Sequence, residues 1–367
     1  MLYIGTRKQI QEYRDSPAIN QSTLKDLQYG LDSFLKKQKE EKSDEIFIRG
    51  SAVDCILTGT EEDFFNEFYI SVLDKKPSET EMNIVEFVFN RVCHIENFGQ
   101  LSDYPNVIEE AVETINWQAN WKMETRVNKI SSNPLCLEYF EDLRQAQGKS
   151  VLSLSQYGEV MAVVESLKNN KLTKPFFDRD YLKSAEKIVT LYQVPIYFKY
   201  KEKDCKALLD IIVLLIDENN NIKEIQVVDL KTMSGNTLNF LENVLKFRYD
   251  IQAAFYLKAI ENVDKTFFSD LGYNLMEDTV INPFLFAVES ITNPGAPLLY
   301  GMTENLFLQG WQGTEDIYLN NRLIKKGKKG FEELLDEYTY YQNNNFTTDI
   351  LLENRNGLLF LDLDKIV

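Results

Sequence analysis

Apolar positions recur every three to four residues through most of the first 148 residues, the period of helices that bury one face. Ser22-Thr23-Leu24-Lys25-Asp26-Leu27 sets a capping hydroxyl ahead of such spacing, and EEDFFNEF and EMNIVEFVFNRV continue it. No strand pair stands out there. Another helix is expected from Leu154 to about Leu167, and the Pro- and Phe-bearing TKPFFDRD after it reads as a connection to a second unit. From Lys187 the pattern changes to β-branched and aromatic residues. KIVTLYQVPIYFKY, ALLDIIVLLI and IKEIQVVDLKT read as three consecutive strands, the last two joined by DENNN. NFLENVLKFRYDIQAAFYLKAIE then reads as one long helix, NPFLFAVESI as a strand and GFEELLDEYTYYQNN as a closing helix. This order predicts an α+β fold with an α/β-type core, a mixed central sheet flanked by helices. The expected division is a helical portion over 1–148, a sheet-bearing core over 149–310 and a helical, basic extension over 311–367.

With 367 residues, 44% of them hydrophobic, the chain can bury a large core, and it carries no internal repeat or low-complexity linker. Forty Lys and Arg against 57 Asp and Glu leave a net charge of -17, which argues against a protein that coats nucleic acid with its whole surface but leaves room for a local basic groove. Cys55, Cys93, Cys136 and Cys205 form no CxxC pair, so no zinc ribbon or iron–sulfur clasp is implied, and reduced thiols suit a cytosol. MLYIGTRKQIQEY lacks the apolar core of a signal peptide, and no apolar run approaches the roughly 20 residues of a membrane span. A cytoplasmic protein with no membrane partner is the expectation. His94 is the only histidine and reads as an ordinary surface or half-buried residue. Chemistry that needs a histidine triad or several imidazole ligands is therefore removed, leaving carboxylates, lysine or hydroxyls.

VVDLKT, residues 227–232, breaks the apolar logic of its strand: an acid and, two residues on, a lysine enter a core-bound run. If DENNN makes the turn with Asp217 facing Ile222, stepping seven residues back along each strand sets Asp210 opposite Asp229. Facing side chains lie about 4.5–5.5 Å apart between Cβ atoms, and Lys231 shares the face of Asp229 because strand side chains alternate. Opposed like charges among Leu208, Leu209, Ile211, Val228 and Leu230 are destabilising unless a cation joins them. Two carboxylates with room for water make a hard-oxygen site for Mg²⁺ or Mn²⁺, beside which an ammonium can orient or polarise a water for attack on a phosphodiester. The competing reading leaves Asp229 and Lys231 at a solvated strand end with Asp210 elsewhere, since a slip of one residue reverses faces.

Asp210, the Asp229-Leu230-Lys231 triplet nineteen residues on, and a helix bearing Gln252 and Tyr256 together resemble the PD-(D/E)XK nuclease superfamily, in particular its phage RecE-like and RecB-nuclease-like exonuclease branch. Arg248 to Tyr256 is similar to the fuller RecE-type form of the QxxxY helix. Ile19 to Leu24 is similar to the family's serine-bearing helix start, Arg49 to Asp54 to its GxAxH helix, and Phe286 to Glu289 to the strand after the QxxxY helix, so the likeness runs from about residue 15 to about residue 300. Asp54 stands where the family commonly has a histidine, and Gln193 where it often has a glutamate.

The resemblance implies a restriction-endonuclease-like sheet over 149–310, with the 1–148 portion contributing to the active site. It implies Asp210, Asp229 and the Leu230 carbonyl as magnesium ligands with Asp54 helping, Lys231 as the group that positions water and stabilises charge on the phosphate, and Gln252 and Tyr256 ordering the network around them. Gln193 and Arg248 stand as contacts to those residues or to DNA. Read without the family, Asp54 is equally a structural acid capping a neighbour, and Gln252 and Tyr256, one turn apart, are packing residues. The basic run Arg322 to Lys329 either steers DNA or is a solvated charged face. The implied function is Mg²⁺-dependent hydrolysis of double-stranded DNA from its ends in phage-type recombination, by a homo-oligomer threaded on DNA that serves a single-strand annealing protein. The alternatives are an inactive nuclease-fold protein with a DNA-binding or structural role, and an endonuclease or single-strand nuclease on the same scaffold.

Overall fold

A computed structural model of the protein describes residues 2–37, 45–73, 75–184, 187–319, 322–325 and 327–346. Two compact units emerge: Glu61–Met161 is one, and the segments on either side of it in sequence make up the other. The Glu61–Met161 unit is helical, with Ile84, Val85, Val88, Ile108, Val112 and Phe140 in its buried core. Its helix Glu79–Val92 starts where a capping box allows: the Ser78 hydroxyl accepts from the Glu81 backbone while the Glu81 carboxylate accepts the Ser78 N–H at 3.0 Å. The unit also holds a parallel pair, Phe68–Ser71 with Ser150–Ser153, where the periodicity showed no strand.

The other unit is built on a seven-stranded mixed sheet flanked by helices, the architecture expected from the order of elements. Its strands are β1 (Leu2–Ile4), β2 (Ile188–Tyr200), β3 (Lys203–Ile216), β4 (Asn221–Met233), β5 (Asn274–Ile281), β6 (Leu285–Ser290) and β7 (Leu298–Gly301). β1 runs parallel to β2, and β2, β3 and β4 form an antiparallel meander. β4 is central and serves two parallel partners, β5 along its first residues and β6 from Val228 onward. Its stretch Val227 to Leu230 is buried, as a strand covered on both faces should be.

The hairpin tip differs from the expected turn. Ile216, not Asp217, faces Ile222, a slip of one residue, and a bulge between Leu215 and Ile216 restores the expected pairing, so that Ile211 faces Val228. Asp217 instead folds its carboxylate over the loop and accepts the Asn219 and Asn221 N–H groups at 2.8 and 2.9 Å. The bulge absorbs the extra residue.

Helix α1 (Gln21–Leu27) is capped by Asn20, whose side chain accepts the Thr23 N–H at 2.9 Å, so Ser22 lies inside the helix instead of capping it. Helix α2 (Glu45–Thr58) buries Ala52, Val53 and Leu57. The expected single helix over 239–261 is two helices, α3 (Phe240–Phe247) and α4 (Tyr249–Asn262), separated by Arg248 in the left-handed conformation at φ 53°. The break has a tertiary cause. Arg248 is buried; its Nε and Nη2 donate to the two Asp250 oxygens at 3.0 and 3.1 Å, Nη2 also to the Lys329 carbonyl at 2.7 Å, and Nη1 to Gln28 Oε1 at 3.3 Å. Gln309 Nε2 donates to Asp250 Oδ2 as well, at 2.9 Å. Removing one member of such a pair strands the other charge in the core. Arg248→Ala is expected to lower the unfolding free energy by about 3–5 kcal/mol, and Arg248→Lys to recover little of it, because an ammonium cannot reproduce the two-pronged contact. Urea denaturation of the three proteins checks this.

Of the basic run, Lys326 lies outside the described residues. Lys328 and Lys329 are half-buried, and Lys329 is ion-paired with Glu337.

Candidate active site

Pairing of β3 with β4 ends at Ile211 and Val228, after which β3 continues beside β2 alone and β4 beside β6. The next residue on each strand is an acid, Asp210 and Asp229, so the two carboxylates stand at the fork where the strands part company. The Leu230 N–H, released from the β3 ladder, donates to Asp210 Oδ2 at 3.0 Å. Parity does the rest: Lys231, two residues past Asp229, returns to the same face, and its Nζ lies 2.5 Å from Asp229 Oδ2. The expected meeting of Asp210, Asp229 and Lys231 is present.

Asp229 is almost fully buried. Its Oδ1 accepts Gln252 Nε2 at 2.7 Å from α4. Its Oδ2 faces the Lys231 ammonium at 2.5 Å, a charge-assisted contact. A carboxylate oxygen with one such partner keeps lone-pair capacity for another electrophile. Lys231 also lies over the Tyr249 ring, 4.9 Å from its centroid, a cation–π contact. Tyr256, one turn after Gln252, is buried, and burial together with Asp229 and Asp210 holds its hydroxyl well above the usual tyrosine range.

Asp54 joins from α2. Its Oδ1 accepts the Thr58 hydroxyl at 3.1 Å and its Oδ2 accepts Gln193 Nε2 at 2.9 Å, while Gln193 Nε2 also reaches Thr58 Oγ1 at 2.8 Å. Gln193 sits in β2 at φ 49°, a left-handed residue inside a strand, beside Gly5, where a Cβ would come within 2.1 Å of the Gln193 carbonyl oxygen. That close approach is open to glycine alone. Arg248 takes no part in this cluster, because its guanidinium is spent on Asp250, Gln28 and Lys329.

Electrostatically the acids oppose one another. Burial first, then Asp229 and Asp54, push Asp210 well above the usual aspartate range against the pull of Lys231 and the Leu230 N–H. Burial, with Asp229 adding to it, raises Asp54 to about 6, opposed by its bonds to Thr58 and Gln193 and by Lys231. For Lys231 burial disfavours the ammonium, but Asp229 and Asp210 outweigh it and its pKa is raised. An acid raised in the folded state keeps its proton where the unfolded chain has lost it. Its stabilising contribution is full below the ordinary aspartate value and disappears as pH rises through about 6. In metal-free buffer, wild type is therefore expected to lose stability relative to Asp54→Asn, on the order of 2 kcal/mol, between pH 4 and pH 7. Thermal melts of the two proteins across that range measure it.

Among the described residues, no three His, Cys, Asp or Glu side chains form a ready metal-binding group. What the site offers is a pair of hard oxygen donors, the Asp210 and Asp229 carboxylates, with the Leu230 N–H bonded to Asp210 beside them. Such a set suits Mg²⁺, which keeps several waters and needs only one or two carboxylates, better than it suits a metal wanting a closed protein cage. Asp54 stands beside this pair with its two oxygens held by Thr58 and Gln193. Two participants escaped the reading of the sequence, Thr58 and Tyr249; Tyr249 lies inside the Arg248 to Tyr256 segment, and its signal was an aromatic preceding the Gln252 helix face by one turn.

His94 is exposed, and Cys55, Cys93, Cys136 and Cys205 are free thiols. No helix among the described residues is long and apolar enough to cross a membrane. No protein-family profile and no curated protein sequence matches the chain. Among solved structures, the chain is similar to a protein from Eubacterium rectale provisionally assigned as an exonuclease, with 13% identity over 80% of this chain and 95% of that one, at a TM-score of 0.31.

Proposed function

We propose that this protein is a magnesium-dependent deoxyribonuclease that hydrolyses DNA from its ends. The observation that carries the proposal is the fork of β3 and β4, where Asp210, Asp229 and Lys231 meet in a poorly hydrated place and the Asp229 oxygen facing Lys231 keeps lone-pair capacity for a cation. A purely structural role gives little reason to bury Asp229 beside Asp210, whose proton affinity it raises. Mg²⁺ or Mn²⁺, held by Asp210, Asp229 and the Leu230 carbonyl, would supply Lewis-acid polarisation of a phosphodiester and neutralise the paired acids. Lys231 orients the attacking water and stabilises charge that develops on the phosphate. Gln252 fixes the Asp229 rotamer through Oδ1, leaving Oδ2 toward Lys231, and Tyr256 supports Gln252 from one turn further along α4. Asp54, bonded to Thr58 and Gln193, adds negative charge behind the ligands.

The substrate in this proposal is double-stranded DNA, and the setting is phage-type recombination in the cytoplasm beside a single-strand annealing protein. A homo-oligomer with positive charge confined to a channel would reconcile a net charge of -17 with DNA binding. The test is incubation of the protein with linear, nicked and circular DNA in Mg²⁺, Mn²⁺ or EDTA. Metal-dependent loss of linear DNA alone supports the proposal; circular DNA cut equally well replaces it with an endonuclease.

A second reading, a DNA-binding protein on this fold without hydrolytic activity, draws on the engagement of both Asp54 oxygens by Thr58 and Gln193. DNA binding retained with no cleavage in any metal would establish it.

A further inference from the structure

Helix α3 has two unlike faces. Phe240 and Val244 are buried, whereas Leu241, Leu245 and Phe247 are 59%, 43% and 41% exposed, with Leu238 just before the helix at 70%. The exposed Phe247 ring is continuous with the candidate active site: its centroid is 5.7 Å from that of Tyr249, and the Tyr249 ring lies under Lys231. Cations accompany this ladder. Lys246 Nζ lies over Phe247 at 5.1 Å from the centroid and Lys25 Nζ over Tyr249 at 5.6 Å, with Glu242 the one acid on the helix. An apolar face alone would suit a protein partner, but aromatic rings interleaved with lysines are the chemistry that takes a base on the ring and its phosphate on the ammonium.

We propose that Phe247 is a stacking platform for the terminal or unpaired base of a DNA strand, and that it gives the enzyme its preference for ends. A base inside a duplex has both faces covered by its neighbours, so only an end, a frayed pair or a single strand offers a free face to the ring. Phe247 lies two ring contacts from Lys231, a distance that a few nucleotides bridge at a stacked rise of about 3.4 Å. The inference rests on the nuclease reading for its purpose, though the stacking contact itself needs no hydrolysis.

The experiment uses the full chain in EDTA, where cleavage is off, with short DNA duplexes and single strands carrying 2-aminopurine at the last position. Wild type and Phe247→Trp are expected to quench the fluorophore on binding. Phe247→Ala is expected to lose the quenching and to bind about tenfold more weakly, the loss of one base–aromatic stack. Because Phe247 is exposed and Phe240 and Val244 hold the helix, the alanine variant keeps the core contacts. Equal quenching and affinity in wild type and Phe247→Ala overturns the inference. So does a Phe247→Ala effect confined to oligomeric state in light scattering, which would make this face a contact between copies of the chain. Assaying the same proteins on linear DNA in Mg²⁺ separates the two readings: cleavage that is indifferent to Phe247 sinks the platform and spares the nuclease, while Phe247-dependent quenching without cleavage does the reverse.

Discussion

Lys231→Ala is expected to lower the stability of the metal-free protein by about 3–5 kcal/mol and to slow DNA hydrolysis by about 10²–10³-fold. Among the described residues Lys231 is the cation paired with Asp229, its Nζ 2.5 Å from Oδ2. Without it, a buried carboxylate faces Asp210 and Asp54 with only neutral hydrogen bonds, from Gln252, the Leu230 N–H, Thr58 and Gln193, to offset their repulsion. The sign follows from the raised pKa of Lys231: a cation whose folded pKa exceeds its unfolded one contributes stability throughout neutral pH, lost only as pH climbs through that raised value. A divalent cation should substitute in part. Ligand at a hundredfold over its dissociation constant adds about 2.7 kcal/mol, so the stability gap between Lys231→Ala and wild type narrows when Mg²⁺ or Mn²⁺ replaces EDTA, while the activity gap stays. Guanidinium denaturation in the two buffers, beside initial rates on linear DNA, measures both quantities.

Asp210→Asn is expected to act on stability in the opposite direction. Asp210 is raised well above the usual range by burial and by Asp229 and Asp54, so at neutral pH its ionisation works against the folded state. Asparagine removes the charge, keeps the shape, and can still accept the Leu230 N–H through its amide oxygen. The metal-free variant should be more stable than wild type by about 1–3 kcal/mol, yet hydrolysis should fall by about 10³-fold and the added stability from divalent cation should disappear. A gain in stability joined to a loss of activity separates a functional acid from a structural one, whose removal costs both. Combined with Lys231→Ala, the Asn substitution should restore part of the lost stability, and this coupling is read from the double-mutant cycle.

What the sequence revealed of this site is what period-two alternation can carry. Asp229 and Lys231 share a face by parity alone, and a four-residue turn was enough to set Asp210 near them. The turn itself was misread by one residue, and only the bulge between Leu215 and Ile216 kept that error from reaching the acids. Bulges leave no mark in an apolar run such as ALLDIIVLLI. The break at Arg248 was equally hidden, since the apolar period runs unbroken from α3 into α4 and the left-handed turn is imposed by Asp250, Gln28 and Lys329, the last two distant in sequence. β1 is three residues long, shorter than any window in which alternation can be recognised. Asp54 was placed near the ligands through its helix, but its engagement by Gln193 depends on a strand residue at positive φ, a tertiary feature made possible by Gly5.

Under the proposed function the β3–β4 fork binds a divalent cation through Asp210 and Asp229. Titration of Mn²⁺ into the metal-free protein, following the electron paramagnetic resonance signal of the free ion, tests it without recourse to activity. Wild type is expected to take up Mn²⁺ saturably and to release it to Mg²⁺, and both Asp210→Asn and Asp229→Asn are expected to lose the uptake. Wild-type protein that takes up no Mn²⁺, or uptake unchanged in the two variants, would contradict it.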